Sequence, residues 1–273
     1  PVRLIDVASD AAFLAMDLED RGLKCQARRF INGWLEHTGD YAALALLNLY
    51  KAYRALVRGK VSLSRLYQEQ DAVQRKVILR QYRSYANLAE SYSAIPSRFL
   101  AITHGVSAVG KSHVALRLVE ALGAVRLRSD VERKRLHGEQ AEAQAGQLDS
   151  GIYSQQASEA TYRHLHQLAT AALQAGFAVV IDAAYLKQSQ RQTAWQAAEA
   201  TGVPFLILDC EAPEAVIAQW LAQRQAEGTD PSDATMEVVR AQQASREPLS
   251  DSERLHSCRV QTQDAGSLDE LVA

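Results

Sequence analysis

The sequence has few cysteines and no long apolar run, and both absences exclude classes of protein. Its cysteines are Cys25, Cys210 and Cys258. They form no CxxC pair, and an odd number does not suit a disulfide framework, so we expect reduced thiols and a cytoplasmic location. No stretch of about 18 apolar residues occurs, and no signal-peptide pattern is present, so neither a transmembrane helix nor a membrane partner is expected.

Several catalytic and metal-binding patterns are also missing. The histidines show no zinc-ligand spacing: His164 and His166 would point to different faces of a helix. No Ser/His/Asp arrangement suggests nucleophilic hydrolysis. The chain contains no internal repeat and no low-complexity segment. A zinc site and a hydrolytic triad are therefore not expected.

The composition is that of an ordinary globular protein. The 273 residues, 47% hydrophobic and 23% charged, suffice for one large domain or two modest ones. Charge is unevenly placed: residues 1–97 contain 14 Lys and Arg against 10 Asp and Glu, and residues 98–273 contain 16 against 22. An acidic second part is not an obvious DNA-binding surface, so nucleic acid is a possible partner but not a favoured one.

The first third of the chain has the periodicity of helices. Apolar residues recur there every three or four positions, which predicts buried helix faces. The helical pattern ends at Ile95-Pro96, because the residue before a proline avoids the helical conformation. We predict an α-helical domain over residues 1–96. Its two expected buried faces are Leu46, Leu49, Tyr50, Tyr53, Leu56 and Val57, and Val77, Tyr82, Tyr85, Leu88, Ala89 and Tyr92.

Short apolar runs alternate with helical segments in the rest of the chain. This alternation predicts an α/β domain over residues 97–273, a three-layer sandwich built on a parallel sheet. One helix is expected after the first strand, and further helices are expected near residues 157–174, 187–200 and 213–226. The expected strands are residues 99–103, 124–127, 178–181, 205–208 and 257–261.

A glycine-rich loop carries the strongest functional signal. Residues 105–112, GVSAVGKS, match the P-loop pattern GxxxxGK(S/T) between a predicted strand and a predicted helix. Loop N–H groups and the positive helix end favour phosphates, Lys111 neutralises them, and the Ser112 hydroxyl binds Mg²⁺. The GTPase motif NKxD is absent, which favours ATP. The predicted ATP-binding residues are Gly105, Val106, Ser107, Ala108, Val109, Gly110, Lys111, Ser112 and His113.

Charged residues after two other strands are candidates for the acceptor and metal sites. Asp130 follows the second strand and would accept the proton of an attacking hydroxyl or orient that hydroxyl, with Arg133 holding an acidic group of the substrate. Asp182 ends the third strand and would bind Mg²⁺ through water or orient the substrate. Arg191, about two helical turns later, is a further substrate candidate. The alternatives are that Asp130 only caps a helix and that Asp182 is only a strand-end turn residue.

A possible lid follows the fourth strand. Arg224 closes a predicted helix and precedes residues 227–233, EGTDPSD, which are rich in turn-forming residues. A lid arginine would neutralise the charge that develops on a transferred phosphoryl group, so Arg224 joins Lys111 and Asp130 as a catalytic candidate. The alternative is a surface arginine beside an ordinary loop.

The second part of the chain resembles P-loop kinase-like ATP-binding domains, the group of polynucleotide kinase, zeta toxin, gluconate kinase and chloramphenicol phosphotransferase. The resemblance spans residues 99 to about 249, and the P-loop alone indicates only the superfamily. It implies a three-layer sandwich with Asp130 as catalytic base, Arg133 on the substrate and Arg224 on the lid. The matching motifs are GVSAVGKS at 105–112, RSDVERKRL at 128–136, AGFAVVIDAAYL at 175–186 and DPSDA at 230–234.

The first part resembles the late C-lobe of aminoglycoside phosphotransferase-like proteins. The similar segments are RLIDVASD at 3–10, AFLAMDLE at 12–19 and YKAYRALVR at 50–58. That family's HGDxxxxN loop and metal-binding Asp are absent here. The resemblance therefore implies a helical remnant without phosphotransfer chemistry of its own, with a structural or regulatory role.

Taken together, these features predict an ATP- and Mg²⁺-dependent phosphotransferase that acts on a hydroxyl of an unidentified acceptor. Two alternatives remain at this level. One is an ATPase or nucleotide-dependent switch without a phospho-acceptor. The other is a noncatalytic ATP-binding module whose helical domain recruits a partner. The sequence does not specify the acceptor or the oligomeric state.

Overall fold

The computed structural model describes residues 5–94, 96–137, 154–227 and 235–272, and the chain divides into two compact units, Pro1–Ser97 and Arg98–Ala273. The described part of the first unit is helical. Asp6 caps its first helix by accepting a hydrogen bond from the Ala8 N–H, and Asp71 caps its last by accepting one from the Gln74 N–H. Such caps satisfy N–H groups that have no partner inside the helix. The elements are α1 (Val7–Asp20), α2 (Lys24–Thr38), a 3₁₀ turn (Tyr41–Ala43), α3 (Leu44–Leu66) and α4 (Ala72–Ser91).

The buried face of α3 is not the one that the sequence predicted. Leu46, Leu49 and Leu56 are exposed, Leu49 by 62%. The residues that α3 buries are Leu44, Leu47, Ala55, Gly59 and Ser62. The helix is apolar on two sides, and its small residues permit the closest approach: a Cβ on Gly59 would lie 3.4 Å from the Tyr82 ring. The periodicity therefore identified the helix but not the side that packs.

A buried polar contact joins three helices of this unit. Lys51 Nζ on α3 donates to Glu19 Oε1 on α1 at 2.7 Å, and the Tyr92 hydroxyl beside α4 donates to the other oxygen of Glu19. Burial lowers the pKa of Lys51, although the Glu19 carboxylate partly offsets that effect. The lysine is held by a charged partner, as a buried cation requires.

The second unit is an α/β structure. Within its described residues, five strands form one parallel sheet in the order β2-β3-β1-β4-β5, which confirms the predicted fold class. The order reverses direction at β1, so the crevice beside the carboxyl end of β1 is the expected ligand position in such a sheet. The elements are β1 (Leu100–His104), α5 (Lys111–Leu122), β2 (Val125–Arg128), α6 (Ser129–His137), α7 (Gln155–Gln174), β3 (Val179–Asp182), α8 (Gln188–Thr201), β4 (Phe205–Glu211), α9 (Glu214–Glu227), α10 (Met236–Ser245), α11 (Asp251–Arg254), β5 (Ser257–Gln261) and α12 (Ala265–Glu270).

Helices cover both faces of the sheet. Ala101 of β1 packs in a core that includes Leu118 of α5 and Ile217 of α9. Its neighbours in β1 point to the opposite face, because side chains alternate along a strand. On that face Trp195 of α8 stacks on Phe205 of β4, with ring centroids 5.7 Å apart. Both faces of the central strands are therefore buried from solvent, which explains why the sequences of these strands are continuous apolar runs.

Among the described helices, none combines the length and the apolar character that crossing a membrane requires.

Candidate active site

The glycine-rich loop connects β1 to α5 at the carboxyl edge of the sheet. Gly105 and Gly110 have φ angles of 140° and 91°, which L side chains rarely adopt. A Cβ on Gly105 would lie 2.8 Å from the Cys210 carbonyl oxygen, and one on Gly110 would lie 2.8 Å from Thr262 Cβ. Both positions therefore require glycine for steric reasons as well as for their backbone angles.

Residues distant in sequence hold the loop in place. The Gly105 N–H donates to the Ala184 carbonyl at 3.1 Å. Thr262, which directly follows β5, donates through its hydroxyl to the Val109 carbonyl at 2.7 Å. Sequence reasoning missed Thr262, because no motif links residues 153 positions apart. The loop is thus braced by the ends of β3 and β5.

The loop groups that the sequence predicts to bind phosphate have protein partners in this structure. Lys111 Nζ donates to the Val106 carbonyl at 2.6 Å. The Ser107 N–H donates to the side-chain oxygen of Gln242, also at 2.6 Å. His113 is exposed at the start of α5. Gln242, on α10, is a second residue that the sequence gave no reason to select.

The predicted acceptor and metal residues converge beside the loop. Asp182 ends β3, is 6% exposed and pairs in register with Arg128 at the end of β2. The Arg128 Nε lies 3.8 Å from Asp182 Oδ2. This oxygen is buried and has no hydrogen-bond partner among the described residues. A buried carboxylate oxygen without a donor suits a cation or a cation-bound water.

Asp130 lies in the first turn of α6, directly after β2, and is half-buried. Burial raises the pKa of its carboxyl group, and the negative charge of Asp182 raises it further. Lys111, Arg133 and Arg128 act in the opposite direction. These electrostatic effects require proximity, so the structure brings the predicted loop lysine, Asp130, Arg133 and Asp182 into one neighbourhood.

α6 is fixed against α7 by a carboxylate that the sequence did not single out. Glu132 is fully buried between Arg135 of its own helix and His164 of α7, whose Nε2 lies 3.3 Å from Glu132 Oε2. Arg133, on the same helix, is 8% exposed. The contacts of Glu132 therefore set the orientation of the helix that carries Asp130 and Arg133.

A cavity of about 350 Å³ opens on the other side of the loop. Its walls include Val106 and Val109 of the loop, Ile217 of α9, and Gln243 and Arg246 at the end of α10. Arg246 is held by Asp209, at 2.6 Å, and by the ring of His104. A larger groove of about 740 Å³ lies between α7 and α8, but none of the loop residues line it.

Two buried histidines support the region beneath the loop. His104 Nδ1 donates to the Tyr185 carbonyl at 3.0 Å, and its Nε2 accepts from Arg246 Nε at 2.9 Å. The ring is therefore neutral. His166 Nε2 lies 3.0 Å from the Tyr185 hydroxyl. Burial lowers the pKa of each histidine to about 4, and the charge of Arg246 also lowers that of His104.

We expect acid to destabilise this unit through His104 and His166. Both have folded-state pKa values of about 4, below the unfolded value near 6.5. The unfolded chain therefore binds more protons between these values, and stability falls as pH drops from 6.5 to 4, by about 1.4 kcal/mol per pH unit for each histidine. Urea unfolding at pH 7, 6 and 5 measures this slope. His104→Gln, which can keep a donor and an acceptor, should reduce it, whereas His37→Gln at an exposed position should not. An unchanged slope in His104→Gln and His166→Gln would contradict the assignment.

Arg191 occupies a different environment from the one predicted. It is 1% exposed and ion-pairs with Glu253, Nε to Oε1 at 2.7 Å. Its remaining N–H groups donate to four backbone carbonyls: Tyr185, Leu186, Glu247 and Pro248. Burial alone would raise the pKa of Glu253, but hydrogen bonds from Arg191 and Ser250 outweigh it and lower the pKa. A guanidinium enclosed in this way does not face a substrate, so the structure replaces the predicted binding role with a structural one.

The lid prediction falls mostly outside the part of the chain that the structure describes. Arg224 lies within α9, but the position of its side chain is not described. Residues 228–234 lie outside the described residues. In the part of the chain that the structure describes, no group of three or more His, Cys, Asp or Glu could hold a metal ion.

Proteins from two mycobacteria resemble this chain in sequence. An uncharacterized protein of Mycobacterium tuberculosis (strain ATCC 25618 / H37Rv) is 33% identical over 246 residues, which are 88% of this chain and 47% of that protein. An uncharacterized protein of Mycobacterium bovis matches equally. The chain thus spans about half the length of the curated relatives it matches. The resemblance of residues 1–96 to aminoglycoside phosphotransferase-like proteins receives no support from any of these comparisons.

Two solved structures align with the second part of this chain. A putative kinase from Chloroflexus aurantiacus aligns with a TM-score of 0.50 and 15% identity, over 66% of this chain and 94% of that one. A sugar kinase from Janibacter sp. HTCC2649 aligns with a TM-score of 0.49 and 18% identity, over 65% and 91%. At 15% identity, the Chloroflexus aurantiacus structure establishes similarity of fold only. The sequence itself matches the AAA domain family over residues 100–249, more than half of the chain, and the protein therefore belongs to that family.

Proposed function

We propose that this chain transfers a phosphoryl group from Mg²⁺-bound ATP to a hydroxyl of an acceptor molecule. One observation carries the proposal: the glycine-constrained loop before α5 lies near Asp130, whose pKa is affected by both Asp182 and the loop residue Lys111. Phosphoryl transfer needs mainly positioning and charge neutralisation, and this neighbourhood supplies both. The shared fold with a putative kinase is consistent with it.

The nucleotide's phosphates are proposed to bind at the loop N–H groups and the first turn of α5. Lys111, which now contacts the Val106 carbonyl, would turn to the phosphates. The cavity of about 350 Å³ beside Val106 and Val109, which apolar and polar residues line, is of a size suited to a nucleotide base. The absence of an NKxD motif favours adenine over guanine.

The residues present fit a magnesium ion. Mg²⁺ is usually held by one or two protein oxygens together with substrate phosphates and water. Asp182 offers a buried oxygen that lacks a hydrogen-bond partner among the described residues, and Ser112 lies in the first turn of α5. When bound, the ion would neutralise phosphate charge.

On the acceptor side, Asp130 is the proposed base or orienting group, and Arg133 the proposed substrate contact. The raised pKa of Asp130 brings it closer to neutral pH, as proton acceptance by a general base requires. Arg224 remains a proposed contributor from the lid, and cytoplasm the proposed location. We assign no chemistry to residues 1–96. The identity of the acceptor molecule is open to test.

Mg²⁺-ATP is expected to stabilise the protein through Lys111. Ligand at 100 times its Kd adds about 2.7 kcal/mol to the free energy of unfolding. Thermal melts of the full chain with ATP and Mg²⁺ should shift upward, less so with GTP, and Lys111→Ala should reduce the shift. Lys76→Ala, at an exposed position on α4, is the matched control.

No shift at millimolar ATP in the unmodified chain would refute nucleotide binding and with it the proposed function. A shift with ATP hydrolysis but no transfer to any of a panel of hydroxyl acceptors would instead indicate an ATPase or switch. Binding without any turnover would indicate a noncatalytic module.

A further inference from the structure

The contact between Gln242 and the phosphate-binding loop has a consequence for how the site fills. Gln242 lies in the last turn of α10, 135 residues from Ser107, and its side-chain oxygen accepts the Ser107 N–H at 2.6 Å. The helix that delivers this oxygen is anchored: Thr235 caps its start, and Val239 is fully buried in the core shared with α5 and α9. The contact is therefore held by packing of the helix.

A side-chain amide oxygen at this position is a neutral substitute for a phosphate oxygen. Loop N–H groups of this motif bind phosphates because they converge on one point with a helix N-terminus behind them. In this structure one of these N–H groups donates to Gln242, and Lys111 donates to the Val106 carbonyl. A phosphate oxygen, being charged, forms the stronger hydrogen bond to the same N–H.

We infer that Gln242 is an internal latch on the loop, which the nucleotide's phosphate must displace in order to bind. The inference rests on the proposed function, since it concerns the regulation of the same site. The fraction of molecules with the latch open limits the apparent affinity, because Kd is divided by the binding-competent fraction. A neutral hydrogen bond is weak enough for ATP to displace and strong enough to lower affinity measurably.

The latch also connects the loop to the neighbouring cavity. Gln243, the next residue, and Arg246, one turn further on, both line the cavity proposed for the base. Arg246 in turn bonds His104, the residue that precedes Gly105. Release of Gln242 therefore acts on the segment 242–246, which contacts the proposed nucleotide site through Gln242, Gln243 and Arg246. We expect α10 to respond when a phosphate occupies the loop.

Three variants of the full chain test the latch by titration calorimetry with Mg²⁺-ATP. Gln242→Ala removes the competing oxygen and should lower the Kd about three- to tenfold, the range that one neutral hydrogen bond can supply. Gln242→Glu places a charged competitor on the loop and should raise the Kd at least tenfold. Ala241→Glu adds the same charge at an exposed neighbouring position on α10 and should change the Kd less than threefold.

Hydrogen exchange of the nucleotide-free chain gives a second readout. The Ser107 amide should exchange faster in Gln242→Ala than in the unmodified chain, because its acceptor is gone. Unchanged exchange, or equal ATP affinity in the two chains, would overturn the latch while leaving the proposed function standing. ATP binding by neither chain would overturn the proposed function, and the latch with it.

Discussion

Asp130→Asn is expected to reduce phosphoryl transfer about 10²–10⁴-fold, the usual contribution of a positioned acid–base group, with little change in ATP affinity. Asparagine keeps the shape and hydrogen-bonding capacity of the side chain but cannot take up a proton. The Asp130 carboxyl has a pKa raised by burial and by Asp182, which marks it as a group suited to proton transfer. It belongs to α6 and not to the loop, so no proposed phosphate contact is lost.

The measurement pairs calorimetry with ATP and turnover on the best acceptor of a panel of sugars, nucleosides and nucleic-acid ends. Asp251→Asn makes the same chemical change at an exposed position on α11 and should have no effect on either. If Asp130→Asn transfers phosphate at the rate of the unmodified chain, Asp130 only caps the helix and is not the base. Loss of ATP binding would place it at the metal, and Asp182 would become the better candidate for the acceptor side.

Arg191→Met is expected to destabilise the α/β unit by about 3–5 kcal/mol, the cost of breaking a buried ion pair by removing one partner. Methionine fills part of the volume but leaves Glu253, 5% exposed, without its countercharge. It also leaves backbone carbonyls of the segments before α8 and α11 without the hydrogen bonds that Arg191 donates. Arg191 joins these segments, so its loss should loosen the end of β3 and the chain that follows α10.

Urea unfolding followed by tryptophan fluorescence measures this loss, since Trp195 lies on the same helix as Arg191. Arg163→Met, at an exposed position on α7, serves as control. The double variant Arg191→Met with Glu253→Leu should cost less than the sum of the single changes, because no unpaired charge remains. A variant with unchanged stability but a raised KM for acceptor would restore the predicted substrate role.

The fold of the second unit was predictable because its signals are local. Strands β1, β3 and β4 contain short apolar runs followed by a polar residue such as Asp182. The strand over residues 257–261 was predicted at the bounds that the structure gives. Glycine angles at Gly105 and Gly110 follow directly from the motif. The strand order was not predictable, because pairing of β1 with β3 and β4 joins distant segments that the sequence does not label.

The misjudged residues share one physical cause, which is that burial is decided by the rest of the fold. On α3 the exposed leucines are more hydrophobic than the buried Ala55 and Gly59, and the prediction followed hydrophobicity. Arg191 looked like a substrate ligand from its place after β3, yet Glu253, 62 residues away, encloses it. Gln242 and Thr262 act on the loop from more than 130 residues away, and no motif marks either.

The brace from Thr262 to the loop has a consequence for biosynthesis. β5 and Thr262 leave the ribosome about 150 positions after β1 and the loop. β1 can pair with β3 and β4 before β5 has been made, but the Val109 carbonyl has no donor from Thr262 until β5 docks. The nascent sheet can therefore assemble around an unbraced loop, and the loop reaches its final geometry only after β5 has been added.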